Sequence, residues 1–218
     1  MHFLDAWTSL PILDQLRLLA PALVMALAIM LPGRRLAAVL ALGLAITIPV
    51  SGAIPGGWAL AAGWGVLWLV TGGVLYRAAR AGMRRPAERR GGFESTLIGL
   101  MLGVPLFGLL AVAIARQNLP FATTRDATAG ALFLALGLIH LMVRRHVLRS
   151  VLGWGFAGFG LQALQAATAA SLPASLAPPK AAVLLATAIT LALVLRIGLA
   201  RARWAGSAWL SDAHDLHD

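Results

Sequence analysis

Side chains that can gain or lose a proton are rare inside the apolar stretches of this sequence, and they define what chemistry it could do. His140 stands in the run Leu132–Leu152, LFLALGLIHLMVRRHVLRSVL, one helical turn before Arg144. A histidine in hydrocarbon can relay protons to an acid on a neighbouring chain. The commoner role is to bond a backbone carbonyl or a lipid headgroup. Gln162, Gln165 and Thr168 recur at three-residue spacing, on the side of their helix that carries Gly155 and Gly158. Polar residues along a small-residue face usually join helices, and lining a water-filled path is the sharper alternative. These four residues are the candidates for a proton path.

A second group is cationic. Arg84, Arg85, Arg89 and Arg90 belong to the charged segment Arg77–Glu94, and Arg144, Arg145, His146 and Arg149 to the connector after His140. Such clusters suit anionic lipid headgroups or a docked soluble partner, although membrane topology alone also accounts for them. Other chemistries are poorly provided for. The absence of cysteine excludes disulfides and thiolate-ligated iron–sulfur clusters. One intramembrane histidine is too few for a bis-histidine haem. Neither GxxxxGK[ST] nor HExxH occurs, and Ser95 and Ser150 have no companion acid–histidine arrangement. His214, Asp215 and His217 lie in a polar tail without a supporting shell, so no metal site is expected there. No catalytic residue and no cofactor is assigned.

The elements that must position these residues follow from composition. The chain has 218 residues, 60% hydrophobic and 12% charged, with a mean hydropathy of +0.83. A soluble domain carries roughly 25% charged residues. Apolar runs of about 17–25 residues, the length that crosses a bilayer as helix, recur throughout. The expected fold is all-α, a polytopic integral membrane protein of about seven transmembrane helices. The spans fall near Arg17–Leu31, Leu36–Ile54, Trp58–Tyr76, Ser95–Ala115, Ala127–Val143, Val147–Ala170 and Pro179–Ala200. Residues 1–15 are expected to lie at an interface and, lacking a basic n-region, not to be a cleaved signal peptide. Residues 116–126 are expected to form a loop. Three segments result: a front three-span part (1–94) with the basic loop 77–94, a fourth span with its outer loop (95–126), and a rear three-span part (127–218).

Charge orients this arrangement. One set of alternate loops and the C-terminal end receive Arg34, Arg35, Arg77, Arg80, Arg84, Arg85, Arg89, Arg90, Arg144, Arg145, Arg149, Arg196, Arg201 and Arg203. The other set has only Arg17, Arg116, Arg125 and Lys180. The positive-inside rule then places the N-terminus outside and the C-terminus in the cytoplasm, in a multi-pass protein of a bacterial-type inner membrane. The net charge of +10 is confined to loops and forms no separate basic face, so nucleic acid is not an expected partner.

From about Ala127 onward the chain resembles the small three-helix membrane subunit of respiratory complex I. It is similar also to that subunit's relatives, the C subunit of Mrp-type antiporters and component E of hydrogenase-4 type complexes. The residues that carry the resemblance are Gly137-Leu138, Arg144-Arg145-His146-Val147-Leu148, Val151-Leu152-Gly153, Pro179-Lys180-Ala181-Ala182-Val183-Leu184 and the acidic tail Ser211–Leu216. About ninety residues are covered, and the four spans in front favour the longer component E type. The family's embedded glutamates are missing: the first position falls near Gly155, and the last span has no acid. Glu94, at an interface, is the nearest acid to any span.

The resemblance implies an integral subunit of a multisubunit ion- or proton-translocating complex, packed beside a large antiporter-like subunit and in contact with anionic lipids. Without the family's acids, its part would be structural or a modified proton path, and any redox chemistry would belong to other chains. Two other classes stay open. One is a self-contained small transporter or membrane enzyme built on the Gln162/Gln165 face, and the other a membrane anchor or assembly protein that docks a partner on 77–94.

Overall fold

The computed structural model describes residues 5, 7–8, 10–31, 33–54, 57–80, 93–117, 119–143, 146–169 and 179–204, with the side chains of residues 34 and 93–100 outside that description. Among the described residues the fold is all-α, with no strand. Seven long helices follow in order: α1 (Ile12–Met30), α2 (Arg34–Ser51), α3 (Trp58–Arg80), α4 (Phe93–Ala115), α5 (Phe121–Val143), α6 (Val147–Thr168) and α7 (Ala182–Trp204). By length and composition, α1, α3, α5 and α7 are apolar enough to cross a membrane, while α2 and α4 contribute shorter apolar stretches, Arg35–Ser51 and Met101–Ala115.

Two helix starts differ from expectation, and a proline explains each. α1 begins at Ile12, so Ile12–Gln15 are its first turn; Pro11, at φ −55°, precedes it and accepts from the Asp14 and Gln15 amides. α5 begins at Phe121, so Phe121–Asp126 are helix and not loop. The Thr124 amide bonds the Pro120 carbonyl at 2.9 Å, and the Thr124 hydroxyl bonds Leu119 O at 3.1 Å. A proline loses nothing at a helix start, where amides have no intrahelical acceptor. At the other extreme, α7 runs to Trp204, one turn beyond the expected Ala200.

Successive helices run antiparallel. Gly65 near the start of α3 lies against Ala45 and Pro49 near the end of α2, and Gly198 late in α7 against Val147 and Leu148 at the start of α6. α1, α2 and α3 form one layer and α5, α6 and α7 a second. The layers meet with α1 against α5, α2 against α6 and α3 against α7, and α4 packs on the flank of α5. Alternation gathers Arg35, Arg77, Arg80, Arg149, Arg201 and Arg203 at one end of the bundle. Arg17, Arg116, Arg125 and Lys180 lie at the other.

α6 is the central element, and its composition reflects this. Its buried residues, from Val147 to Ala167, cover all of its circumference but one strip, where Trp154 and Leu161 are about half exposed. A helix surrounded by protein has no need of lipophilic side chains, and it can carry Arg149, Gln162 and four glycines. Those glycines form two faces. Gly153 and Gly160 meet Gly137 and Gly130 of α5, seven residues apart on each helix. A Cβ at Gly137 would lie 2.5 Å from the Ala157 nitrogen, and one at Gly130 would lie 2.8 Å from the Leu164 nitrogen. The helix backbones therefore touch directly, the contact small residues permit in lipid. A seven-residue repeat keeps such a seam aligned along a left-handed crossing. Gly155 and Gly158 turn the other way, toward Trp68 of α3 and Thr187 of α7.

Candidate functional site

The basic end of the bundle holds a buried polar cluster built from three helices. His140, in the last turn of α5, is fully buried, and its Nε2 lies 3.1 Å from the carbonyl oxygen of Arg149 in the first turn of α6. A carbonyl can only accept, so this bond places the histidine proton on Nε2. The ring thus fastens the two arms of the α5–α6 hairpin just above their connector. Substituting His140 by leucine is expected to cost about 0.5–1.5 kcal/mol, the range for losing one hydrogen bond, since the Arg149 carbonyl keeps its acceptor role within α6. His140→Gln, which keeps an N–H donor, should lose much less. Thermal unfolding of both variants in detergent would check this, and equal losses would contradict the hydrogen-bond role.

Arg149 continues the cluster inward. It is 6% exposed, and its Nη2 donates to Ala28 O at 3.0 Å and to Leu31 O at 2.8 Å. Ala28 lies in the last turn of α1 and Leu31 is the residue that caps it, where carbonyls have no amide partner of their own. The charge also opposes the negative end of the α1 dipole. Arg149 is therefore an interhelical cap, joining the second layer to the first, and not a surface contact. His146, also expected at the surface, is buried as well. Its carbonyl starts α6 by accepting from the Arg149 and Ser150 amides, and the residue lines a shallow recess with Ala37, Leu75, Ala78, Ala79, Leu148 and Arg149. Arg84, Arg85, Arg89, Arg90, Arg144 and Arg145 lie outside the described residues.

The remaining candidates form a separate cluster at the opposite end of α6. Gln162 is 1% exposed and gives its Nε2 hydrogen to Gln165 Oε1 at 3.2 Å. Gln165 in turn donates to the Pro179 carbonyl, at 3.5 Å, just before α7. Thr168 turns its hydroxyl back onto its own helix, to Leu164 O at 2.9 Å. Thirteen residues separate Arg149 from Gln162, about 20 Å of helix.

Between the two clusters lies an aromatic layer. Phe133 of α5 stacks on Phe159 at 5.0 Å and meets Phe156 edge-on at 5.5 Å, and Trp64 of α3 meets Phe159 edge-on at 5.6 Å. All four rings are fully buried. The geometry brings Gln162 and Gln165 together and leaves His140 on the far side of this layer.

Several contributors escape a reading by residue type. Trp64 and Trp68 were legible only as apolar residues, although their four-residue spacing puts both on one helical face. The cap made by Arg149 is invisible because its partners are backbone carbonyls. The same holds for Arg17 of α1, whose Nε donates to the Val50 carbonyl at the end of α2. Two arginines thus close the C-terminal ends of two adjacent helices, at opposite ends of the bundle. Among the described residues, no group of acids and histidines stands close enough to hold a metal ion. Comparison of the chain with protein-family models, with curated proteins and with solved structures gives no match.

Proposed function

We propose that this chain is a seven-span protein of a bacterial-type inner membrane, its basic end cytoplasmic. In this reading it serves as a non-catalytic packing subunit of a multisubunit ion-translocating complex. The observation that carries the reading is the aromatic layer of Phe133, Phe156, Phe159 and Trp64, which fills the bundle between its two polar clusters. A self-contained carrier of ions or polar solutes needs polar groups at its midplane, enclosed by its own helices. Here the middle is filled by apolar rings, and the polar side chains at either end mostly bond backbone or each other. The partner is inferred from the residues of 127–218 that resemble the small complex I subunit, which point to a large antiporter-like chain. α4, packed chiefly on α5, keeps Met101, Leu102, Val104, Leu109 and Val112 exposed, an apolar surface fit for lipid or for such a neighbour.

Extraction of the native protein in mild detergent, followed by mass spectrometry, tests the reading. Co-purification with a large antiporter-like membrane subunit is the expected result. A lone, stable, monodisperse species would overturn the complex-subunit assignment while leaving the topology standing. The topology has its own check, because the chain contains no cysteine. In intact cells, Gln117→Cys should react with a membrane-impermeant maleimide, and Arg35→Cys only after permeabilisation.

A further inference from the structure

Three side-chain polar atoms in the middle and outer part of the bundle are buried without a hydrogen-bond partner: Nε1 of Trp64, Nε1 of Trp68 and Oε1 of Gln162. The residues are 0%, 0% and 1% exposed. Their positions are linked through α6. The Trp68 ring lies against Gly155, the Trp64 ring meets Phe159 edge-on, and Gln162 follows Phe159 by one helical turn. Buried polar groups almost always find a partner, and where protein supplies none an ordered water commonly does.

The polarity of the set is determined from outside it. The Pro179 carbonyl can only accept, so Gln165 presents Nε2 to it. Gln165 Oε1 is then turned toward Gln162 and accepts that residue's Nε2. The amide of Gln162 is thereby oriented, with its oxygen as the remaining acceptor. Three residues of α6 rise about 4.5 Å from the Phe159 level to the Gln162 level.

We propose that the junction of α3, α6 and α7 is a buried hydration site, in which a water accepts from the Trp64 indole N–H and donates to Gln162 Oε1. Trp68 supplies a second donor one turn nearer the basic end. Leu191, which meets Gly155 beside the Trp68 ring, is buried, and the site forms a local node and not a passage. Water held here explains why glutamine and two tryptophans share an interior otherwise filled by Phe, Leu, Ala and Gly.

Radiolytic footprinting of the intact protein in detergent, with site-resolved mass spectrometry, tests this directly, since hydroxyl radicals form in place from bound water. Trp64 should be oxidised despite its burial, while the equally buried Phe133 stays unmodified and exposed Trp58 serves as the positive control. In Gln162→Leu the Trp64 signal should fall several-fold with Trp58 unchanged. A wild-type Trp64 as silent as Phe133 would overturn the proposal, and so would labelling that persists undiminished in Gln162→Leu. The wild-type comparison decides the case by itself if the variant does not fold.

Discussion

Replacing Arg149 by methionine is expected to destabilise the bundle by about 3–5 kcal/mol and to loosen the last turn of α1. Methionine keeps the length and the apolar stem, so the loss isolates the guanidinium. Two hydrogen bonds from a charged donor, to Ala28 O and Leu31 O, disappear. Bonds of that kind contribute about 1.5–3 kcal/mol each. The sum is trimmed because Leu31 is 41% exposed and water can reach its end of the helix. The location of the arginine argues for the same conclusion. A cation in the first turn of α6 faces the positive end of its own helix dipole, which is unfavourable, and it gains only through the negative end of α1. Arg149→Lys should recover part of the loss, because an ammonium retains the charge but cannot reproduce the planar geometry of the guanidinium. Hydrogen–deuterium exchange at Ala28–Leu31, beside the unfolding midpoint in detergent, is the measurement. A methionine variant with wild-type exchange there would refute the capping role.

The second large effect concerns the seam between α5 and α6. Gly137→Ala should cost about 1–3 kcal/mol, the usual range for overpacking, and Gly137→Leu should prevent the hairpin from closing. The reason is geometric: the new Cβ would stand 2.5 Å from Ala157 N and 2.8 Å from Gly153 O, both backbone atoms that no rotamer change can move away. Gly160 is in the same position against the Leu134 backbone. Gly73 of α3 is the control, since a Cβ there meets nothing within 4 Å. Gly73→Ala should be neutral or stabilising by up to about 0.5–1 kcal/mol, the entropic benefit of alanine within a helix. Denaturation in mixed detergent micelles would separate the two sites, and equal responses would show that the backbone seam does not limit stability.

Helix number and order were legible because an apolar run long enough to cross a bilayer can hardly form anything but helix. Helix starts were less legible. Pro11 and Pro120 each begin a helix earlier than hydropathy indicates, because the first two turns tolerate polar residues such as Asp14, Arg125 and Asp126. His140 stood out as a rare ionisable residue in an apolar run. Its partner did not, because a backbone carbonyl carries no residue-type signal. Gln162 and Gln165 could be paired from their three-residue spacing alone, since that spacing makes them neighbours on one helix. No local pattern tells that Trp64 and Trp68 come to lie against Phe159 and Gly155, nearly a hundred residues away.

What the sequence by itself determined is a one-dimensional set of properties: an all-α chain, seven helical segments in order, and a segregation of arginine into alternate connectors. These depend on local composition and on the cost of leaving backbone unpaired in an apolar medium. Only the tertiary structure decided which segment is central. α6 became the hub because its glycines let two different neighbours reach its backbone, and that choice buried Arg149 and His146 where the sequence alone had them facing outward. It also divided the proton-path candidates into two clusters with an aromatic layer between them. Packing of this kind is a matter of which surfaces meet, and the same glycines, arginines and tryptophans acquire their roles only from the helix across the interface.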